Sequence, residues 1–123
     1  MQQLPLNYQS ANQPHYSAGV IHNGLVYVSG QLAVDEKGIV IKGGIREHTL
    51  QALKNVQSVL KMAGTDIDHV VRCRVYTSDL SCWGDINDVY SAFFGETKPA
   101  RTVVPTSELH YGSLVEIEAT AYL

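Results

Sequence analysis

An arginine and a carboxylate near the end of this 123-residue chain are its best candidates for chemistry. Arg101 opens the β-prone run Arg-Thr-Val-Val, and a guanidinium on a strand is a rigid, permanently charged fork that suits a carboxylate. Glu116 begins the polar face of the next run, where partial burial would raise its pKa and let it move a proton or orient a water. Spacing alone favours a plain cross-strand ion pair, and it does not choose between Glu116 and Glu118.

The sequence indicates neither a metal ion nor an organic cofactor. Phosphate-binding Gly-x-Gly-x-x-Gly and Walker patterns are absent. Cys73 and Cys82 fit neither a Cys-x-x-Cys redox pair nor a zinc site, so we interpret both as free thiols. Ser29 lies in Val-Ser-Gly-Gln, which is not the nucleophile elbow of a hydrolase. None of the five histidines has a partner at the spacing of metal ligands; they are His15, His22, His48, His69 and His110.

Length and composition narrow the class of protein. The length predicts one domain over residues 1–123. Charged residues make up 17% of the chain, below the roughly 25% of an average domain, so we expect surface to be buried against another subunit. The net charge of −3, without a basic cluster, disfavours nucleic acid as the main ligand. Without a membrane-length apolar stretch or a signal-peptide core in Met1–Pro14, we expect a cytoplasmic protein that does not bind membranes.

Hydrophobic periodicity predicts seven elements after an irregular leader over Met1–Pro14. In order, these are strands over Tyr16–Ile21 and Leu25–Ser29 joined by an Asn23-Gly24 turn, a helix from Ile45 to a stop at Gly64, a strand whose Val71, Cys73 and Val75 face the core, a helix over Trp83–Phe94, and strands over Arg101–Thr106 and Leu114–Tyr122. The order β-β-α-β-α-β-β predicts an α+β fold with both helices on one face of a mixed sheet.

The opposite face of that sheet is expected to be unusual. It would carry Arg72, Arg74, Arg101, Glu116, Glu118 and either Tyr16 or Tyr122. This set is too polar for a core and too aromatic for a plain solvent face. Burial of the face in an oligomer would explain both properties.

Seven short motifs follow one another along nearly the whole chain. They are Pro-x-Tyr-Ser at 14–17, Val-Ser-Gly-Gln at 28–31, Leu-Lys-Asn-Val at 53–56, Val-Tyr-Thr-Ser-Asp-Leu at 75–80, Ile-Asn-Asp-Val-Tyr-Ser-Ala-Phe-Phe at 86–94, Pro-Ala-Arg-Thr-Val-Val at 99–104 and Val-Glu-Ile-Glu-Ala at 115–119. In this order they resemble the signature of the Rid family of YjgF-like proteins. The resemblance implies a chorismate-mutase-like α+β fold, assembled as a homotrimer with active sites in the clefts between subunits.

The resemblance also implies an activity. The RidA branch hydrolyses reactive enamines and imines, such as 2-aminoacrylate and 2-iminopropanoate, to 2-oxo acids and ammonia without a cofactor. By position, Arg101 would bind the substrate carboxylate and Glu116, rather than Glu118, would handle the water or proton. Tyr16 completes the implied catalytic set. The implied substrate-binding positions are Arg101, Ser29, Gly30, Asn87 and Val103.

Several positions depart from the family pattern. Val103 stands where the family commonly has cysteine, which excludes a thiol-dependent role there. Ala33, the Leu109–Gly112 segment with His110, and the short 95–100 segment differ as well. These differences leave the preferred imine open.

Two further functions are compatible with the same residues. One is a non-catalytic trimer that uses the cleft to hold a small carboxylate metabolite. The other, an endoribonuclease or translation inhibitor, is disfavoured by the acidic net charge. Retention of Glu116 beside Arg101 favours an enzyme, since a binding cleft needs only the arginine.

Overall fold

The computed structural model describes residues 1–6 and 14–123, with two helices packed on one face of a mixed sheet. The elements are β1 (Gln2–Leu4), β2 (Gly19–His22), β3 (Leu25–Leu32), α1 (Ile45–Ala63), β4 (Val70–Thr77), α2 (Trp83–Phe94), β5 (Ala100–Pro105) and β6 (Val115–Tyr122). Short 3₁₀ segments lie at Ile67–His69, Leu80–Cys82 and His110–Gly112. Over these described ranges, neither helix combines the length and hydropathy needed to cross a bilayer.

The strands lie in the order β1-β2-β3-β6-β4-β5, which makes β1 and β5 the two edges of the sheet. Neighbouring strands are antiparallel except β4 and β5, which run parallel because α2 carries the chain back between them. The predicted α+β fold is confirmed.

The core lies between the sheet and the helices. The buried stripe of α1 consists of His48, Thr49, Ala52, Leu53, Val56, Val59 and Leu60, at the spacing of three and four that the sequence predicts. Gly64 ends α1 as expected, with a left-handed φ of 91°. The predicted alternation of apolar and polar residues along β6 is confirmed, since Val115, Ile117 and Ala121 are fully buried against the helices.

The predicted irregular leader is wrong for its first residues. Gln2–Leu4 forms β1, which pairs antiparallel with Gly19–Ile21, and Leu4 is only 3% exposed because it enters the core. The part of the leader over residues 7–13 lies outside the described residues. β2 begins at Gly19 rather than Tyr16, and β3 continues past Ser29 to Leu32. The element order is therefore β-β-β-α-β-α-β-β.

The predicted core position of Val71 is also wrong. A register shift between Val70 and Arg72 interrupts the pairing of β4 with β6, so the strict alternation fails at this point. Val70 takes the buried position, at 4% exposed, and Val71 is 44% exposed. Cys73 and Val75 are buried as predicted.

Candidate functional site

Arg101 lies on the helix side of the sheet. In the parallel pair of β4 and β5 it is the register partner of Cys73, whose side chain is buried beneath the helices. Register partners on neighbouring strands project to the same face, so the guanidinium is directed at α2. Its Nη1 donates a hydrogen bond of 2.9 Å to Oδ1 of Asn87. The structure thus brings together Arg101 and Asn87, two of the substrate-binding positions that the resemblance implies.

Three residues on one face of α2 hold this guanidinium, and we call Trp83, Asn87 and Tyr90 the arginine cradle. Their spacing of four and three residues places them along one side of the helix. The Cζ atom of Arg101 lies 4.7 Å from the Tyr90 ring centroid and 5.5 Å from that of Trp83. A guanidinium at such distances is attracted by the ring electrons. The cradle therefore fixes the orientation of Arg101 without a counter-charge.

Arg101 is a half-buried cation that forms no ion pair with any described residue. The ion pairs among those residues join Arg46 to Asp85 and Asp88, and Arg74 to Glu118. Removing a cation from water without an anion costs free energy, and an anion from outside the chain offsets that cost. Such an arrangement can accept an anion, and the planar fork has the shape to hold a carboxylate by two hydrogen bonds.

The groups beneath Arg101 stay uncharged near neutral pH. Burial raises the pKa of the Cys73 thiol to about 11, although nearby Arg101 acts in the opposite direction. Burial also raises the pKa of Tyr90, with a further contribution from Cys73. The Tyr90 hydroxyl is buried and has no nitrogen or oxygen partner among the described residues. Among the described residues around it, Arg101 therefore carries the charge of this part of the site.

Glu116 lies on the opposite, helix-free face of the sheet. Its register partner on β4 is Tyr76, and its neighbours along β6, Val115 and Ile117, point into the core. The carboxyl is half-buried, and this burial raises its pKa. The charge of His110 opposes the rise, and that of Glu118 adds to it. Glu116 therefore has the raised pKa expected of a group that exchanges a proton.

Gly30 leaves room for the Glu116 side chain. A Cβ atom at position 30 would lie 2.9 Å from Cδ of Glu116, closer than carbon atoms pack. The adjacent Ser29 donates a hydrogen bond of 2.7 Å to the Ser17 carbonyl, which ties β3 to the segment that carries Tyr16. The Tyr16 side chain is 47% exposed. We refer to Glu116, Gly30 and Ser29, together with the Tyr16 segment that Ser29 holds through the Ser17 carbonyl, as the glutamate cluster.

The prediction that Arg101 shares the helix-free face with Glu116 is wrong. Arg101 follows Cys73 to the helix side because β5 pairs with β4, and β6 is not its neighbour. The alternative of an ion pair between Arg101 and Glu116 is excluded for the same reason. Glu118 instead accepts a hydrogen bond of 2.5 Å from the Tyr76 hydroxyl and lies 3.5 Å from Arg74.

The remaining predicted positions lie on one or the other face of the sheet. Val103 follows Arg101 on the helix side of β5 and packs partly against the core. On the helix-free face, Arg72, Arg74, Glu118 and Tyr122 occupy the positions expected of them, and Tyr122 stacks on His69 with ring centroids 4.2 Å apart. Among residues 1–6 and 14–123, no cluster of three or more His, Cys, Asp or Glu side chains could hold a metal ion.

Sequence reasoning missed Trp83 and Tyr90 as partners of Arg101. Both belong to the apolar pattern of α2, and that pattern was fully explained by packing against the sheet. Asn87 could have indicated the contact, because it is a polar residue on the same side of the helix as Trp83 and Tyr90. A polar side chain there indicates a polar partner on the facing strand.

Comparison with known proteins gives the family. The model of the family described as Endoribonuclease L-PSP matches residues 9–123. A RutC family protein of Pyrococcus abyssi is 40% identical over 108 residues, which cover 87% of this chain and 85% of the relative. The 2-iminobutanoate/2-iminopropanoate deaminase of Rattus norvegicus is 39% identical over 107 residues, covering 86% of this chain and 78% of the relative.

Solved structures give the same result. The crystal structure of RidA from the Antarctic bacterium Psychrobacter sp. PAMC 21119 superposes with a TM-score of 0.90 at 31% identity, covering 100% of both chains. A TM-score this high over matched lengths shows that the two chains share one fold. With the motifs along the sequence, these similarities show that the chain belongs to the Endoribonuclease L-PSP family, the YjgF and RidA proteins.

Proposed function

We propose that the protein is a cytoplasmic, cofactor-free deaminase that hydrolyses reactive 2-imino acids and their enamine tautomers. In this reaction water adds to the C=N carbon, the C–N bond then breaks, and the products are a 2-oxo acid and ammonia. The observation that carries the proposal is the half-buried Arg101 guanidinium, oriented by Asn87 and without an ion-pair partner among the described residues. The relatives named 2-iminobutanoate/2-iminopropanoate deaminase support the substrate class.

The chemistry needs little more than orientation and one proton-transferring group. An imine carbon is already electrophilic, so neither a strong nucleophile nor a metal is required. Arg101 binds the substrate carboxylate and holds the C=N group in place. Glu116, with its raised pKa, accepts a proton from the attacking water and passes it toward the departing ammonia. Tyr16 assists at the reacting atoms, while Ser29 and Gly30 line the pocket.

Arg101 and Glu116 can act on one substrate only if they come from different subunits. They lie on opposite faces of one sheet, so no substrate contacts both within a single chain. We therefore propose a homotrimer in which the arginine cradle of one subunit meets the glutamate cluster of its neighbour. The low charge content and the aromatic, polar helix-free face support this assembly.

The test of the function is direct. Purified protein should accelerate the release of ammonia and pyruvate from 2-aminoacrylate generated in situ. Binding of 2-oxo acids without turnover on any of several imino acids would favour the alternative, a non-catalytic protein that binds small carboxylates. The ribonuclease alternative has less support because the net charge is −3.

Mixed oligomers test the site between subunits. Arg101→Ala and Glu116→Gln subunits should each be nearly inactive alone. Co-expressed in equal amounts, they should recover activity at about a quarter of the sites, since half of the subunits keep Arg101 and half of their neighbours keep Glu116. Ammonia release measures the recovery, and native mass spectrometry of differently tagged subunits verifies mixing. Mixed oligomers no more active than the separate variants would contradict the shared site.

A further inference from the structure

The arginine cradle opens toward solvent at Trp83. Tyr90 is 6% exposed, Asn87 is half-buried, and Trp83 is 44% exposed, so exposure rises toward the start of α2. The residues follow one side of the helix from the core to the surface. A ligand that approaches Arg101 from this side must pass the indole ring.

The orientation of the guanidinium leaves room for a ligand there. Asn87 accepts a hydrogen bond from Nη1 of Arg101, and the Tyr90 ring lies against the flat face of the guanidinium. The other N–H groups bond to none of residues 1–6 and 14–123 and remain for a carboxylate, with the exposed indole centroid 5.5 Å from Cζ. The carbon atoms that follow a bound carboxylate therefore begin beside the surface of the indole. Val103, two residues along β5 on the same side, is also apolar.

We propose that Trp83 is a specificity-determining residue of the Arg101 site. Its exposed indole surface packs against the hydrocarbon side chain of a 2-imino acid or 2-oxo acid whose carboxylate lies on Arg101. The site therefore binds 2-oxo acids with larger apolar side chains more tightly than it binds pyruvate, the three-carbon acid. This inference rests on the proposed function only in taking Arg101 as the carboxylate anchor.

Equilibrium binding of stable 2-oxo acids tests the inference without turnover. The probes are pyruvate and 4-methyl-2-oxopentanoate, titrated into the intact protein by calorimetry. Wild-type protein should bind the larger acid at least about fivefold more tightly, from the additional apolar surface that is buried. Trp83→Ala should bring the two affinities within about twofold of each other, and Trp83→Phe should keep most of the preference because an aromatic surface remains.

A matched control and the ratio of affinities separate specificity from folding. Leu50→Ala removes another exposed apolar side chain, on α1 and outside the cradle, and should leave the ratio unchanged. Equal loss of affinity for both acids in Trp83→Ala, or an unchanged ratio, would overturn the proposal, as would a wild type without preference. Preferential binding without imine turnover would instead overturn the proposed function and leave this inference standing.

Discussion

Replacement of Arg101 by alanine should lower kcat/KM for 2-iminopropanoate by at least about a hundredfold. The variant loses a charge-assisted, bidentate contact to the carboxylate and, with it, the orientation of the C=N group toward water. Arg101→Lys should recover only part of the activity, because an ammonium keeps the charge but lacks the planar fork. The measurement is ammonia and pyruvate release from 2-aminoacrylate generated in situ, with the oligomeric state checked by light scattering.

Arg46→Ala is the matched control for this variant. Arg46 pairs with Asp85 and Asp88, which lie on the side of α2 away from the cradle. These pairs are exposed, so their loss should change stability little and turnover by less than about twofold. Turnover that stays at the wild-type level in Arg101→Ala would refute the assignment of Arg101 as the anchor.

Glu116→Gln is the second substitution with a large expected effect. The amide keeps the shape of the side chain but cannot accept the proton of the attacking water, so kcat should fall about a hundredfold or more. In the proposed mechanism the ionised carboxylate is the active form, and burial raises its pKa. Activity should therefore decline as the pH falls through that raised pKa.

The pH profile of the variant distinguishes a proton-transfer role from a structural one. In Glu116→Gln the acidic decline should disappear from the residual activity. Gly30→Ala, whose Cβ would press on the Glu116 carboxyl, should lower kcat and shift the acidic decline. A full acidic decline that persists in Glu116→Gln would assign the titration to another group and contradict the proposed role.

Thermal unfolding provides an independent readout for Glu116. A carboxyl whose pKa is raised by folding binds its proton more tightly in the folded state. Its contribution to the free energy of unfolding is therefore present at low pH and is lost as the pH rises through the folded-state pKa. Glutamine does not ionise, so the Glu116→Gln variant avoids the cost of a buried charge at pH 7. Its Tm at pH 7 should therefore equal or exceed that of the wild type, while its activity falls. A large drop in Tm would instead indicate a structural role.

The local patterns in the sequence predicted most of the elements. The bounds of α2 and the end of α1 at Gly64 were correct because both depend on neighbouring residues: a spacing of three and four, and a glycine able to adopt positive φ. The alternation in β6 was correct for the same reason. The identity of the family also followed from the motifs, since they hold their order along the chain.

The arrangement of the strands could not be read in this way. Which face Arg101 occupies depends on its pairing with β4, a contact between segments far apart in sequence. The exposure of Val71 depends on a register shift that no local pattern reveals. The strand at Gln2–Leu4 is too short for periodicity to show and exists only because β2 offers it an edge.

The ends of the sheet have a consequence for how copies of the chain associate. The edge strand β1 is three residues long and is followed at once by Pro5, while Pro99 precedes β5 and Pro105 ends it. Proline lacks the N–H group that a further strand would need, so both edges resist extension of the sheet from one molecule to the next. Growth into fibrils through these edges is therefore disfavoured, and the proposed closed assembly through the helix-free face does not compete with open-ended growth of the sheet.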